Sequence, residues 1–194
     1  MDDRTDEEKS AVYVWGPWFA NGLPPCDWPR AFEAYGHAMA TAASVEELMI
    51  LLLTHAEVFR LGARATAKTT HSEIRQKTVI WQRERFNGLM NQCFKTFDLS
   101  KDLRDAMKIA KDGRDHLAHL FWRAHGGNLW TEDGIDIIAA ECAHHAHHFR
   151  LVAEQLIAAT GVNPTDYIEM KKASGLASEN NEGWHQLLFE GPSQ

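Results

Sequence analysis

The segment Gly113 to Arg123 (GRDHLAHLFWR) concentrates the side chains of this chain that could do chemistry. Histidine titrates near neutrality, so it can both accept and donate a proton during a reaction. Arginine is always charged and can hold a phosphate group through two parallel hydrogen bonds. The segment combines both types within six residues: Arg114, Asp115, His116 and His119. This combination predicts proton transfer next to a bound phosphate.

Helical geometry sorts the segment into two stripes. At about 100° per residue, His116, His119 and Arg123 fall on one stripe, and Asp115 lies one turn before His119, within hydrogen-bonding reach. The other stripe is apolar and can face a core. It consists of Leu117, Leu120 and Phe121.

Arg114 and His119 are five positions apart, which is about 140° around a helix axis. The two side chains therefore cannot easily converge on one point from a single straight helix. Two arrangements would bring them together, and the sequence leaves both open. Either Asp112-Gly113 bends the chain, or two copies of the segment meet.

The segment resembles the Arg-x4-His motif of HEPN domains through Arg114, the polar Asp115 and the run Leu117-Ala118-His119. HEPN domains are small helical bundles, and many are metal-independent endoribonucleases of toxin–antitoxin, phage-defence and CRISPR-associated systems. In active members, two domains pair so that both motifs line one cleft. The resemblance therefore implies an RNA substrate, a homodimer with a composite active site, no cofactor, and an antitoxin protein as a further partner. The family most often has Asn where this chain has Asp115.

The resemblance also implies a role for each residue of the motif. His119 is the acid/base for attack of the RNA 2′-hydroxyl on the adjacent phosphate, and Arg114 stabilises the charged transition state. Asp115 orients His119 or holds the loop, and His116 is an auxiliary proton carrier or merely a neighbour. The expected products carry a 2′,3′-cyclic phosphate and a 5′-hydroxyl. Two alternatives stay open: a non-catalytic HEPN-type module for dimerisation or for nucleotide or RNA binding, and a metal-dependent helical-bundle hydrolase.

A second group of chemically capable side chains lies on the last predicted helix. Glu141-x-x-His144 matches half of a di-iron carboxylate site, but no second Glu-x-x-His lies within the predicted bundle of residues 30–161. His145 falls in the apolar seam and is interpreted as a hydrogen-bonded core histidine. The favoured interpretation of this face is a polar lining without metal. The alternative is a Zn or Fe site formed by Glu141, His144 and His148, which lie within about 60° of one another around the helix. His116 or His119 from the neighbouring helix would complete this site.

Composition indicates one cytoplasmic domain. The chain has 194 residues, 44% of them hydrophobic, which is ample for a core. The net charge of −7 argues against a general nucleic-acid coating protein, although an enzyme can still grip a few phosphates locally. Three cysteines without metal-ligand spacing predict reduced thiols. Because the start of the sequence is acidic and polar, we expect no signal peptide. Because no apolar run is long enough to cross a bilayer, we expect no membrane-spanning helix.

Positive charge is concentrated in residues 60–95. This stretch has eight Lys or Arg against two Glu, a local net charge of +6. Both a solvated helix face and a track for an RNA backbone fit this pattern. The candidate RNA-binding residues are Arg75, Lys77, Arg83 and, from the motif segment, Arg123.

The hydrophobic periodicity predicts an all-α fold, a bundle of about five helices over residues 30–161. The resemblance of the motif implies that this bundle is HEPN-like. An irregular aromatic N-terminal arm (1–29) precedes the bundle, and a C-terminal tail (162–194) follows it. Capping signals divide the bundle: helices are expected to begin at the capping boxes Ser44-x-x-Glu47 and Thr70-x-x-Glu73 and at Ser100 and Thr131, and Gly161 is expected to end the last one. The buried stripe expected in the helix that begins at Thr70 consists of Phe86, Leu89, Met90, Cys93 and Phe97. The predicted helices run from Pro29 to Ala43, from Ser44 to Gly62, from Thr70 to Phe97, from Ser100 to His125 with a bend at Asp112-Gly113, and from Thr131 to Thr160.

Overall fold

A computed structural model of the protein describes residues 27–62 and 67–162. Over these ranges the fold is all-α, as predicted, and contains no strand. The predicted arm and tail lie almost entirely outside the described residues. The described elements are α1 (Trp28–Gly62), α2 (Ala67–Trp81), α3 (Phe86–Thr96), α4 (Lys101–His119), α5 (Phe121–His125), a 3-10 turn (Asn128–Trp130) and α6 (Glu132–Thr160).

The two longest of these helices, α1 and α6, form the main axis of the bundle. Helix α1 packs most extensively against α6 and also contacts α2, α3 and α4, while α4 lies against α6. The run Leu48 to Leu53 of α1 is buried on every side, as expected for a central helix. The other large side chains that are fully buried come from α3 to α6: Phe86, Leu89, Met107, Leu117, Phe121, Ile135, Ile138 and Phe149.

The predicted helix boundary at Ser44 is wrong, because α1 continues through it. The Ser44 hydroxyl is buried and donates a hydrogen bond to the carbonyl oxygen of Ala40, at 2.9 Å. Thr41 makes the same bond to His37, at 2.8 Å. A hydroxyl that bonds to the preceding turn is satisfied inside a helix. The Ser-x-x-Glu pattern therefore does not act as a cap here.

The single helix predicted from Thr70 to Phe97 is two helices. The chain turns between Gln82 and Arg85, where the amide of Arg83 bonds to the carbonyl of Ile80 at 3.0 Å. The side chains of Val79 and Ile80 at the end of α2 are exposed, whereas α3 buries Phe86, Leu89, Met90 and Cys93. The turn thus points the apolar stripe of α3 into the core, as burial of that stripe requires.

The bend predicted at Asp112-Gly113 is also absent, since α4 runs unbroken from Lys101 to His119. The break comes at Leu120, which ends α4 and precedes α5. Leu120 was expected on the apolar stripe, but it is 51% exposed. The new helix direction turns Phe121 into the core instead, where it is fully buried.

Three helix ends agree with their predicted capping residues. The Ser100 hydroxyl accepts a hydrogen bond from the Leu103 amide at 3.2 Å, and the Thr131 hydroxyl accepts one from the Gly134 amide at 3.0 Å. Gly161 has a φ of 63°, in the left-handed region that favours glycine at a helix C-terminus. Ordinary cap chemistry therefore positions α4 and α6, the two helices that carry the candidate site residues.

Two of the cysteines, Cys93 and Cys142, are free and buried, and burial raises the pKa of each thiol to about 12. This agrees with the prediction of reduced thiols for these two positions. Across residues 27–62 and 67–162, no helix combines enough length with enough apolar character to cross a bilayer.

Candidate functional site

The arginine of the motif is held between two carboxylates. Arg114 Nε lies 3.2 Å from Glu46 Oε1 on α1, and its Nη1 lies 3.4 Å from Asp115 Oδ1. Burial raises the pKa of Glu46, although the Arg114 charge and hydrogen bond partly oppose that rise. The guanidinium is half-buried, with 24% of its side chain exposed. Arg114 is therefore oriented towards α1 and still reaches solvent.

Asp115 is engaged by basic side chains and not by His119, to which the helical spacing had assigned it. Lys111 Nζ lies 3.0 Å from Asp115 Oδ2, and Arg114 contacts the other oxygen. Burial opposes ionisation of Asp115, but the Lys111 and Arg114 contacts outweigh it and lower the pKa of the carboxyl group. In a single chain, Asp115 therefore orients Arg114.

His119 is the last residue of α4 and is exposed. Its ring makes no hydrogen bond or ion pair with any residue in the described ranges. Because α4 is continuous, His119 projects about 140° away from Arg114. One chain alone therefore does not bring these two residues together, and the bend considered from the sequence is not present to do so.

His116 points to a different neighbour, Glu141 of α6. Its Nε2 lies 3.0 Å from Glu141 Oε1, and its ring meets Phe121 edge-on at 6.0 Å between centroids. The sequence analysis includes a metal site in which His116 lies close to Glu141 as one possible arrangement. The contact places His116 against α6, whereas Arg114 contacts α1.

His125 completes this cluster and was not identified from the sequence, where it was interpreted only as part of a helix end. Its Nε2 lies 2.9 Å from Glu141 Oε2, and its Nδ1 lies 3.0 Å from the side-chain amide of Asn128. The ring is buried and tilts against Phe121 at 4.5 Å. The sequence did contain a signal for the burial of His125, because Leu117, Phe121 and His125 are spaced four residues apart, as on one helix face. In the structure all three side chains are buried.

Glycine allows the 3-10 turn to approach α6 closely. A Cβ at Gly134 would overlap the backbone carbonyl of Asn128. The turn can therefore sit directly on the first turn of α6. In this arrangement Asn128 contacts His125, and His125 contacts Glu141. We refer to His116, His125 and Glu141 together as the Glu141 cluster.

His145 borders the Glu141 cluster. The prediction of a core histidine agrees in part, since the ring is half-buried and stacks on Phe149 at 6.3 Å. Its Nε2 lies 3.9 Å from Glu141 Oε1. Burial lowers the pKa of His145, which favours the neutral ring. A Cβ at Gly113 would lie only 2.8 Å from His145 Nδ1. Gly113 thus provides space for this histidine where a bend had been predicted.

The ligand trio considered from the sequence is not the one that the fold assembles. His144 is exposed, and His148 Nε2 lies 3.1 Å from the carbonyl oxygen of Ala106, which occupies it. Within the part of the chain that the structure describes, the only group of three ligand-type side chains whose atoms lie within 4.8 Å of one another is the Glu141 cluster.

The candidate RNA-binding residues are distributed over three elements. Arg75 of α2, Arg83 of the following turn and Arg123 of α5 are exposed and form no ion pair with another described residue. Lys77 differs, because its Nζ lies 2.7 Å from Glu57 Oε1. Glu57 also forms an ion pair with Arg60, so two of the positive charges in residues 60–95 are paired with this carboxylate of α1.

No family model matches the chain, and no curated protein or solved structure is significantly similar to it. Function is therefore inferred from the residues of the motif and from the geometry around them.

Proposed function

We propose that the protein is a metal-independent endoribonuclease of the HEPN type that works as a homodimer. The observation that supports this proposal most strongly is the way in which α4 positions the side chains of Arg114 and His119. Arg114 is held by two carboxylates, and His119 is exposed at the helix end with no partner among the described residues. A positioned cation and a free imidazole are the groups that cleavage by the RNA 2′-hydroxyl requires.

Arg114 supplies the positive charge. Its Nε and Nη1 bond to Glu46 and Asp115, and its Nη2 makes no hydrogen bond with a described residue. The Nη2 donors can therefore bind a non-bridging phosphate oxygen while the other two nitrogens hold the plane of the guanidinium. Charge-assisted hydrogen bonds of this kind stabilise the phosphorane-like transition state more than the ground state.

His119 moves the protons. It takes the proton of the 2′-hydroxyl as that oxygen attacks the adjacent phosphorus, and the bond from phosphorus to the 5′-oxygen breaks. The leaving 5′-oxygen takes a proton from an imidazolium. Two copies of the chain supply two His119 rings, so one can act as base and the other as acid. The products are a 2′,3′-cyclic phosphate and a 5′-hydroxyl.

The straightness of α4 supports the homodimer. About 140° around the helix axis separates Arg114 from His119 within one chain, and the α4 helix of a second copy can supply the missing partner. Exposed basic side chains would hold the RNA backbone: Arg75, Arg83 and Arg123, with Lys77 nearby in its ion pair. In this proposal the enzyme acts in the cytoplasm as a toxin or phage-defence effector, and an antitoxin protein restrains it.

The first test is cleavage of total RNA by the purified protein in EDTA. We expect the wild type to cut and to leave cyclic-phosphate ends. His119→Ala should lose cleavage by at least about 100-fold, which is the lower end of what a general acid–base contributes. Because His119 is exposed, circular dichroism of the variant should match the wild type.

The matched control is His147→Ala, which removes another exposed histidine, on α6. It should cut like the wild type. Retained activity in His119→Ala would contradict the proposed base. Cleavage that requires added Zn²⁺ or Mn²⁺ would contradict metal independence.

A second candidate is a non-catalytic HEPN-type module that binds RNA or nucleotide. The pairing of Arg114 with both Glu46 and Asp115 favours it, because these carboxylates neutralise much of the charge that a transition state would use. Such a module would bind RNA and leave it intact, and His119→Ala would not change its affinity. Gel-shift and cleavage assays on the same RNA separate the two candidates.

A further inference from the structure

The Glu141 cluster is chemically separate from the proposed ribonuclease site. Its three side chains come from α4, α5 and α6, and they meet on the side of α4 that faces α6. Arg114 points to α1, and His119 is exposed at the end of α4. Neither of the proposed catalytic residues contacts the cluster, so it requires its own explanation.

We propose that His116, His125 and Glu141 bind one divalent transition-metal ion, and that Zn²⁺ is the ion that fits them best. Two imidazoles and one carboxylate form a donor set typical of Zn²⁺ and of other borderline metals, whereas Mg²⁺ and Ca²⁺ prefer oxygen alone. The site is independent of the proposed RNA cleavage.

The distances suit such an ion. The two Nε2 atoms lie 3.0 Å and 2.9 Å from the two oxygens of Glu141, and all ligand atoms fall within 4.8 Å of one another. In a tetrahedral Zn²⁺ site with bonds of about 2.0–2.1 Å, neighbouring ligand atoms are about 3.4 Å apart. Small side-chain rotations would therefore close the three ligands around one ion, with no movement of the helices.

The surroundings orient the ligands. The amide nitrogen Nδ2 of Asn128 lies 3.0 Å from His125 Nδ1, and a 180° rotation of this amide would place its oxygen there to accept the proton of Nδ1. This tautomer leaves the Nε2 lone pair free for a metal, as outer-shell partners of metal-binding histidines do. Phe121 packs against both imidazole rings and limits their motion. Two ligands are thus already directed at Glu141 before an ion enters.

The cluster is also accessible. His125 is buried, but the side chains of His116 and Glu141 are 32% and 33% exposed, so an ion can enter from solvent. Three protein ligands leave a further coordination position for water or for a small anion. The ion would also link α4, α5 and α6, and its binding should therefore stabilise the fold.

The test uses the full chain, stripped of metal by dialysis against chelator. Zn²⁺ affinity and stoichiometry are measured by competition with a chromophoric chelator, and Co²⁺ is added separately to follow its visible absorption. We expect one tight site per chain and a rise in melting temperature with Zn²⁺. The isosteric Glu141→Gln should weaken Zn²⁺ binding by more than about tenfold and abolish the rise, because an amide is a poor ligand for this ion.

Asn128 provides a readout that a purely structural role would not give. Asn128→Ala should weaken Zn²⁺ binding by about tenfold, since it removes the acceptor behind His125. Asn128→Asp keeps an acceptor in place and should restore wild-type affinity. These changes leave all three ligands present.

His147→Ala and His119→Ala control for adventitious binding by exposed histidines, and both should bind Zn²⁺ like the wild type. If the buried His125 cannot be replaced without unfolding, His116→Ala tests the same site from its half-exposed ligand. Wild-type affinity in Glu141→Gln or in His116→Ala would overturn the proposal. So would a wild-type protein that binds Zn²⁺ no better than these variants.

Discussion

Glu57 and Glu141 are two carboxylates with different partners and different consequences. Glu57 is 9% exposed and is bound by the permanent charges of Arg60 and Lys77. Glu141 is more exposed and is contacted by two imidazoles, which are also common metal ligands. The first arrangement stabilises the packing of α2 on α1. The second keeps groups that can bind a metal within reach of solvent.

Replacement of Glu57 should reveal its contribution as a dependence of stability on pH. Hydrogen bonds from Arg60 and Lys77 outweigh burial and lower the pKa of Glu57 from 4.5 to about 2. A carboxyl group with a lowered folded-state pKa stabilises the fold above its unfolded pKa, and this stability is lost as the pH falls towards the folded value. We expect Glu57→Gln to reduce the free energy of unfolding near neutrality by about 1–3 kcal/mol.

The difference between wild type and Glu57→Gln should shrink as the pH falls from 4.5 to about 2. Urea denaturation over this range measures it. Glu154→Gln, which replaces an exposed acid on α6, is the matched control and should leave the curve unchanged. A constant difference at every pH would contradict the assigned ion pair.

At the level of elements, α4 presents a different group to each of its neighbours. Arg114 of α4 contacts α1, whereas His116 contacts α6 and Gly113 leaves space for His145 of α6. His119 is exposed to solvent. The helix can serve all three only because it is continuous, since a bend at Gly113 would change the direction of every residue that follows. Continuity of α4 also keeps Arg114 and His119 apart in one chain.

The close contact at Gly113 can be tested against a glycine that has open space. A Cβ at Gly36, in the interior of α1, would meet nothing within 4 Å, so Gly36→Ala should stabilise the protein by about 0.5–1 kcal/mol. A Cβ at Gly113 would lie 2.8 Å from His145 Nδ1. The ring must leave its position, at a cost of about 0.5–1.5 kcal/mol, which cancels the helix gain.

Thermal or urea unfolding of the two alanine variants measures this comparison. We expect Gly113→Ala to be at least about 0.5 kcal/mol less stable than Gly36→Ala. An equal gain in both variants would mean that His145 does not occupy the space above Gly113. The pair is matched because both substitutions add one methyl group to a helix interior.

At the level of the whole molecule, the proposed ribonuclease needs two copies of the chain. This requirement predicts complementation between two inactive variants. Arg114→Ala and His119→Ala should each lose cleavage, because one removes the phosphate ligand and the other removes the base. Co-expression of the two should restore a small part of the wild-type activity, because a mixed dimer combines one intact Arg114 with one intact His119 across its interface and lacks the second His119 ring.

Cleavage by the co-purified mixture, compared with each variant alone, measures the effect. Two samples of the same variant mixed together serve as the control and should not recover. An absence of recovery in a mixture shown to contain mixed dimers would contradict a composite site. A wild-type protein that cuts RNA as a monomer would contradict the dimer.

The local features of the fold follow from the sequence. The all-α class, the Ser100 and Thr131 caps, the glycine stop at Gly161 and the buried stripe of α3 were all predicted. Each depends on interactions between residues within about one or two helical turns, and these interactions are encoded in the spacing of residue types.

The features that the sequence did not predict depend on what packs against a residue. Ser44 and Gly113 carry signals for a helix boundary, yet both lie inside helices, because a buried hydroxyl finds a carbonyl one turn back and a neighbouring histidine needs the space of a missing side chain. The turn at residues 82–85 carries no strong signal, and burial of α3 imposes it.

The candidate site residues also differ in what the sequence determines and what only the tertiary structure determines. Residue types and spacing single out Arg114, His119 and Glu141 as chemically capable. Only the tertiary structure, in which the 3-10 turn packs onto α6, brings His125 to Glu141 across 16 positions of sequence. Side-chain chemistry is a property of each residue, whereas a distance between helices depends on all the contacts that fill the core between them.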